Sequence, residues 1–147
     1  MIRAFAALTT VLMAGAFGDT LTLRVQGTLS RGSGGKCVFV TRAVVGGGGL
    51  QTLCIRGVDG VPGSNATMNT SGWMSFILPR GSIRARVRIR LHFAADGAHA
   101  RETLRGSITD GTGRYQAARG AITGSGTVVD RGDGFDQVDL RYVLSLR

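Results

Sequence analysis

Apolar and basic side chains alternate without a break from Ile83 to Phe93. The odd-numbered positions are apolar, and the even-numbered positions between them are Arg84, Arg86, Arg88, Arg90 and His92. A period of two places the two sets on opposite faces of a β-strand, whereas a helix would scatter the arginines around its circumference. The segment therefore predicts a strand with one apolar and one basic face.

Shorter runs with the same alternation fill most of the chain. They cover residues 20–26, 37–45, 50–56, 73–78, 98–109, 115–123, 125–130 and 138–146. Residues 27–35 and 57–72 are expected to be connections, because glycines and turn-forming residues interrupt them. The 24 glycines and two prolines suit tight turns between short strands. An all-β, antiparallel domain is predicted, either a barrel of about eight strands or a β-sandwich.

The first sixteen residues have the pattern of a cleavable signal segment. Arg3 gives a positive start, residues 4–13 are uncharged and mostly apolar, and Ala14-Gly15-Ala16 fits a small-x-small cleavage site. We therefore expect a signal helix at 1–16, one domain at 17–147, and a secreted or periplasmic location. No later stretch is long and apolar enough to predict a membrane-spanning helix.

Two cysteines, Cys37 and Cys54, agree with export, because an even number in an exported chain favours a disulfide. Such a bridge would stabilise the fold by roughly 3 kcal/mol. The predicted hairpin around Gly46–Gly49 does not set the two cysteines directly opposite each other, so a bulge or a less simple pairing is needed. Two buried thiols remain the alternative. The two histidines do not have finger-like spacing from the cysteines, and no metal site is predicted.

A glycine-punctuated block from Gly106 to Gly126 resembles the late-strand signature of dirigent proteins. In that signature a strand ends in Gly-Gly-Thr-Gly, followed by an aromatic residue and Ala-Arg-Gly. The matching positions here are Gly111, Thr112, Gly113, Tyr115, Ala118, Arg119 and Gly120, with Asp110 in place of the first glycine. Allene oxide cyclases have a similar glycine turn. The first half of the chain carries no motif of either family.

The resemblance implies an eight-stranded antiparallel barrel, often trimeric, with a central cavity. Members of both families steer the conformation of a small apolar or phenolic ligand, and neither needs a cofactor. A small ligand in the barrel and a homotrimer are therefore expected. Activity does not follow from fold, so whether the protein is an enzyme stays open.

Tyr115 and Arg119 are the chemically distinctive side chains of this block. Placed four residues apart on one strand, they would face the same way, Tyr115 as a donor to a ligand and Arg119 as an anion anchor. The alternative is that Tyr115 packs on the turn and Arg119 caps backbone carbonyl groups. No Ser/His/Asp or Cys/His pattern and no phosphate loop accompanies them, so no catalytic residue and no cofactor is predicted.

The arginine face of 83–93 suggests a different function. Side chains two apart on a strand are roughly 7 Å apart, a spacing that suits successive phosphates or uronates. Arg84, Arg86, Arg88 and Arg90 are therefore candidates for binding acidic glycans or lipids at a surface, and the net charge of +9 agrees. A simply solvated face, or one neutralised by acids on a neighbouring strand, is the alternative. No aromatic residue alternates with the arginines, which argues against a single-stranded nucleic-acid platform.

Overall fold

A computed structural model describes residues 19–34, 37–45, 48–130 and 136–147. The predicted signal segment at 1–16 lies outside the described residues. Eight strands and one short 3₁₀ turn make up the described chain. They are β1 (Thr20–Gly34), β2 (Cys37–Val45), β3 (Leu50–Asp59), β4 (Thr67–Leu78), β5 (Gly81–Phe93), β6 (His99–Gly111), η1 (Gly113–Tyr115), β7 (Gly120–Asp130) and β8 (Asp136–Leu146).

The strands form a closed barrel in which each strand pairs with its neighbours in chain order. All eight pairings are antiparallel, and β1 closes the barrel against β8 with Val25 opposite Leu140. The predicted eight-stranded antiparallel barrel is confirmed, and the sandwich alternative is excluded. Closure pairs every strand on both sides, so that none of these long strands leaves an open edge.

Alternation decides which side chains enter the barrel. On β5 the residues Ile83, Ala85 and Val87 are almost completely buried, while the arginines between them are exposed. The same two-residue period buries Val138, Leu140, Tyr142, Leu144 and Leu146 on β8. The arginine face therefore points outward, and the inward face supplies the apolar core.

The glycine-rich stretches behave differently from expectation in three places. Residues 27–34 continue β1 through a register shift after Gln26, where Gly27 adopts a positive φ of 102°, instead of forming a connection. The loop expected at 57–72 is shorter, because β3 extends to Asp59 and β4 begins at Thr67. Residues 115–119 form no strand, and β7 runs unbroken from Gly120 to Asp130 through Gly124.

Gly124 lies within β7 because the packing inside the barrel requires a glycine there. It occupies an inward position on β7, directly opposite Tyr142 on β8. A Cβ atom at this position would collide with ring atom Cδ1 of Tyr142. Glycine here makes room inside the barrel for a large aromatic ring, and the strand itself continues.

Candidate functional site

An apolar pocket of about 540 Å³ opens at one end of the barrel, which we call the mouth. Its walls come from the start of β1, the β2–β3 connection, the end of β4 and η1. The lining residues are Leu21, Thr22, Leu23, Val44, Val45, Gly48, Leu78, Pro79, Arg80 and Tyr115. One cation, Arg80, stands among mainly apolar side chains. An apolar recess with a few polar groups is typical of a site for a small ligand.

The structure separates Tyr115 from Arg119. Tyr115 ends η1, is half-buried against the core and lines the mouth. Arg119 is exposed, and its Nη1 donates a 2.9 Å hydrogen bond to the carbonyl of Ala118. The expectation that both lie on one strand is wrong, because a 3₁₀ turn and the segment before β7 occupy these positions. Tyr115 alone faces a pocket.

Deeper in the barrel, an ion pair crosses the interior. Arg42 on β2 and Glu102 on β6 are four strands apart around the closed sheet, yet Arg42 Nη2 lies 3.6 Å from Glu102 Oε2. Tyr142 joins them: its hydroxyl accepts from Arg42 Nη1 and donates to Glu102 Oε1, both at 3.1 Å. We call Arg42, Glu102 and Tyr142 the interior triad.

The interior triad lies one layer below the mouth. Tyr142 is directly opposite Leu23, and Arg42 is two residues from Val44 on the same face of β2. Both Leu23 and Val44 line the mouth. The ring of Tyr142 also meets Phe76 edge to face, with ring centres 5.6 Å apart. These side chains fill the barrel at this level, where the resemblance implied a central cavity, and the ligand-sized space lies at the end of the barrel.

Burial controls the protonation of Tyr142. Desolvation, followed by the nearby carboxylate of Glu102, raises the pKa of the phenol far above its ordinary value. The hydroxyl is therefore a neutral donor at physiological pH. Arg42 Nε and Gln51 Oε1, both buried, have no hydrogen-bond partner among the described residues. Gln51 lies directly opposite Arg42, so these two polar atoms belong to the same layer.

The outward face of β5 carries an aromatic residue that the sequence pattern did not reveal. Trp73 on β4 lies directly opposite Arg86. The guanidinium carbons of Arg84 and Arg86 lie 4.5 and 4.9 Å from its ring centre. Both distances fall within the range of cation–π contacts. No aromatic residue alternates with the arginines along β5 itself, and the neighbouring strand supplies the one that stacks on them.

Three of the four arginines of this face, Arg86, Arg88 and Arg90, have no acid as a cross-strand partner. On β4, the residues opposite these three arginines are, in the same order, Trp73, Ser71 and Asn69. On β6 they are Ser107, Arg105 and Thr103. Asp110 is opposite Arg84, and Asp59 is one strand further away, opposite Asn69. Two exposed arginines on β6, Arg101 and Arg105, extend the arginine face of β5.

A groove of about 640 Å³ runs across the middle of the arginine face. Three cations line it, Arg88, Arg90 and Arg105, together with residues Asn69, Thr103, Leu104 and Thr123. Guanidinium groups beside hydroxyl and amide donors are the groups that bind phosphate, sulfate or carboxylate oxygens. The groove is thus a second candidate site, chemically unlike the mouth.

The backbone register bears on the cysteines. Cys54 lies opposite Phe39, two residues from Cys37, as expected from the position of the connecting loop. The side chain of Cys37 lies outside the described residues, so the disulfide stays a prediction. The described ranges contain no group of three or more metal-ligating side chains. Nor do they contain a helix with the length and apolar character needed to cross a membrane.

The interior triad was missed because its members are far apart in sequence. Tyr142 was predicted on the apolar face of the last strand, whereas Arg42 and Glu102 are charged residues, which normally indicate an outward position. The alternation of neighbouring residues provides the missing signal. Arg42 lies on the same strand face as Val44, and Glu102 lies on the same face as Ala100 and Leu104. Polar residues on the apolar face predict buried partners.

Comparison with protein-family models, with curated proteins and with solved structures finds no match to this chain. The structure therefore defines the class of protein: a closed eight-stranded antiparallel barrel with a filled centre and an apolar mouth. The resemblance of residues 106–126 to dirigent proteins and allene oxide cyclases remains a prediction from sequence.

Proposed function

We propose that the protein binds a small apolar or phenolic ligand in the mouth of the barrel. The apolar recess beside Tyr115 and Arg80 is the observation that carries the proposal. Its volume is in the range of small-molecule sites, and the interior triad beneath it limits how far a ligand enters. The dirigent and allene oxide cyclase resemblance supports a role in holding a ligand conformation without a cofactor.

Titration with 2-naphthol, followed by amide chemical shifts, tests this proposal. Replacing Leu21 with Arg puts a long cation into the recess and is expected to weaken binding at least about tenfold, because apolar contact area is lost. Val61→Ser, at a 75% exposed position in the β3–β4 loop, is the control and should bind normally. Shifts that do not map to the mouth, or equal affinities for all three proteins, contradict the proposal.

The role of Tyr115 is tested separately by Tyr115→Phe. If the phenol of Tyr115 donates a hydrogen bond to the ligand, removing its hydroxyl is expected to lower the affinity several-fold. If the ring only packs on η1, the variant binds 2-naphthol like the unchanged protein. The same titration with Arg119→Gln shows whether an arginine outside the pocket contributes, as the sequence expectation requires.

A second candidate function is binding of acidic glycans or lipids by the arginine face. Arg84, Trp73 and Arg86 favour it, because the stack presents two cations on an aromatic ring. Arg86, Arg88 and Arg90 also have no acid as a cross-strand partner. Replacing Arg84, Arg86, Arg88 and Arg90 with Ser is expected to abolish salt-sensitive retention on heparin. A charge-matched control replaces Arg24, Arg114, Arg141 and Arg147. Equal retention of both quadruple variants contradicts this function.

Export, the disulfide between Cys37 and Cys54, and a homotrimer complete the proposal. Each rests on the sequence expectations and has a direct measurement. An exported chain is expected to begin near Phe17 in N-terminal sequencing. A disulfide protects both cysteines from alkylation until a reductant is added. Light scattering coupled to size exclusion gives the mass of the assembly.

A further inference from the structure

Three large apolar side chains project from the outer wall of the barrel near the mouth. Val45, Leu50 and Ile77 are 46%, 46% and 51% exposed. Leu50 and Ile77 are directly opposite each other on β3 and β4. Val45 ends β2, at the connection that leads to Leu50. We call these three residues the apolar patch.

The apolar patch is continuous with the arginine face. Along β4, the outward positions run from Ile77 through Ser75 to Trp73. Their partners on β5 are Ser82, Arg84 and Arg86 in the same order. One side of the barrel therefore carries exposed aliphatic groups, a tryptophan and a row of arginines on adjacent strands.

We propose that this side of the barrel, β3 to β5, docks on the surface of a bilayer that contains anionic lipids. The proposal rests on anion binding by the arginine face and adds the identity and orientation of the partner. Arginines reach phosphate groups while their methylene stems lie on apolar surface. Tryptophan favours the headgroup level, and aliphatic residues enter the acyl boundary.

The apolar patch is what favours a bilayer over an acidic glycan. A glycan offers anions and hydroxyl groups, and it gains little from exposed Leu50 and Ile77. A bilayer offers anions next to a hydrocarbon layer, which matches both parts of this side of the barrel. Ile77 is two outward positions from Trp73 on β4, and Leu50 lies beside Ile77 on β3, so the three kinds of group contact one surface together.

The single tryptophan of the chain makes the docking directly observable. With the full protein and vesicles of phosphatidylcholine and phosphatidylglycerol, the fluorescence of Trp73 is expected to shift to shorter wavelength. Lipids brominated near the headgroup end of their chains are expected to quench it. Vesicles of phosphatidylcholine alone should bind weakly, because they offer no net negative charge.

Two variants separate the two contributions to docking. Arg84, Arg86, Arg88 and Arg90 changed together to Gln are expected to lower vesicle affinity by about a hundredfold or more, since each cation near the surface contributes about fivefold. Leu50→Ser with Ile77→Ser is expected to lower it by about tenfold and to reduce quenching. Val61→Ser is the matched control, because Val61 is exposed in the β3–β4 loop at the opposite end of the barrel.

The outcomes distinguish this inference from the function on which it rests. Arginine-dependent heparin binding with no vesicle binding, or vesicle binding that is unaffected by the Leu50 and Ile77 changes and gives no quenching, overturns bilayer docking and leaves anion binding intact. If the arginine changes affect neither heparin nor vesicles, both fail. Circular dichroism spectra of each variant confirm that the barrel is folded in every arm.

Discussion

Arg42 and Arg86 are both arginines on alternating strands, and their surroundings are opposite. Arg42 points into the barrel, where its side chain is 6% exposed and is paired with Glu102 and Tyr142. Arg86 points outward, where it stacks on Trp73 with serine and tryptophan as its cross-strand partners. The inner arginine has a carboxylate, and the outer one has none in register.

The difference shows how position decides what an arginine does. A buried guanidinium requires a partner, because an unpaired charge in a dry interior costs several kcal/mol. The partner then fixes the packing of the layer, here by joining β2, β6 and β8. An exposed guanidinium remains hydrated without a partner, so its hydrogen-bonding capacity is available to another molecule. We therefore assign structure to the interior triad and recognition to the arginine face.

The largest expected effect breaks the interior pair. Glu102→Gln leaves Arg42 buried without a counter-charge and is expected to cost about 3–5 kcal/mol of unfolding free energy. Arg86→Gln, on the outer wall, should cost no more than about 1 kcal/mol, the contribution of an exposed cation–π contact. Urea denaturation of both variants measures the contrast. Similar losses for the two would remove the distinction between inner and outer arginines.

A double variant sharpens this result. Arg42→Met with Glu102→Leu removes both charges and replaces them with apolar groups of similar size. Such replacements of buried ion pairs are often neutral or stabilising by about 1–4 kcal/mol. Recovery of only part of the stability lost in Glu102→Gln is expected, because the buried hydroxyl of Tyr142 loses its hydrogen bonds to Arg42 and Glu102. If the double variant is as unstable as the single one, the interior triad stabilises the barrel through more than charge compensation.

The next effect comes from the glycine that makes room for Tyr142. Gly124→Ala places a methyl group against the ring of Tyr142 and is expected to destabilise by about 1–3 kcal/mol. Gly63→Ala is a suitable control, because its added Cβ would find its nearest neighbour, Ala66 Cβ, at 3.9 Å. Thermal unfolding of the two variants gives the comparison. Equal midpoints would mean that Tyr142 shifts freely, and that the interior triad is not rigidly packed.

The barrel itself could be predicted because alternation is a local property. In Ile83–Phe93 each residue is assigned to a face by its immediate neighbours, and the structure bears this out along β5. The same reasoning was wrong at Gly124, which was expected to separate two strands. A glycine in the sequence suggests the end of a strand, whereas this one makes room for the ring of Tyr142 on the neighbouring strand β8.

The sites were harder to predict because strand pairing builds them. Trp73 and Arg86 are neighbours only through the β4–β5 register, and Arg42 meets Glu102 only because the sheet closes. A single strand shows neither contact. Tyr115 was expected on a strand with Arg119. The 3₁₀ turn that contains Tyr115 packs instead against the turn before β5, where Arg114 N donates to Arg80 O at 2.9 Å. Register and closure are properties of the whole chain.

A third arginine, Arg24, is intermediate between Arg42 and Arg86, because it is paired but exposed. It is paired like Arg42, through 3.1 Å hydrogen bonds from Nε and Nη2 to the carboxylate of Asp139, but it is exposed like Arg86. The hydrogen bond from Arg24 lowers the pKa of Asp139 below its ordinary value of 3.8. The stabilisation is therefore fully present above pH 3.8 and is lost as the pH falls through the lowered value.

Asp139→Asn should consequently show the smallest change of the series: near-normal stability at pH 7, and a slightly flatter decline below pH 3.8. Asp96 supplies an internal reference, because backbone N–H groups of His99 and Ala98 lower its pKa to about 2 and its acid dependence is unaffected in this variant. Thermal midpoints measured from pH 7 down to pH 2 give both the change in stability at pH 7 and its dependence on acid. A loss at pH 7 as large as that of Glu102→Gln would show that pairing, and not burial, decides how much an arginine contributes to this barrel.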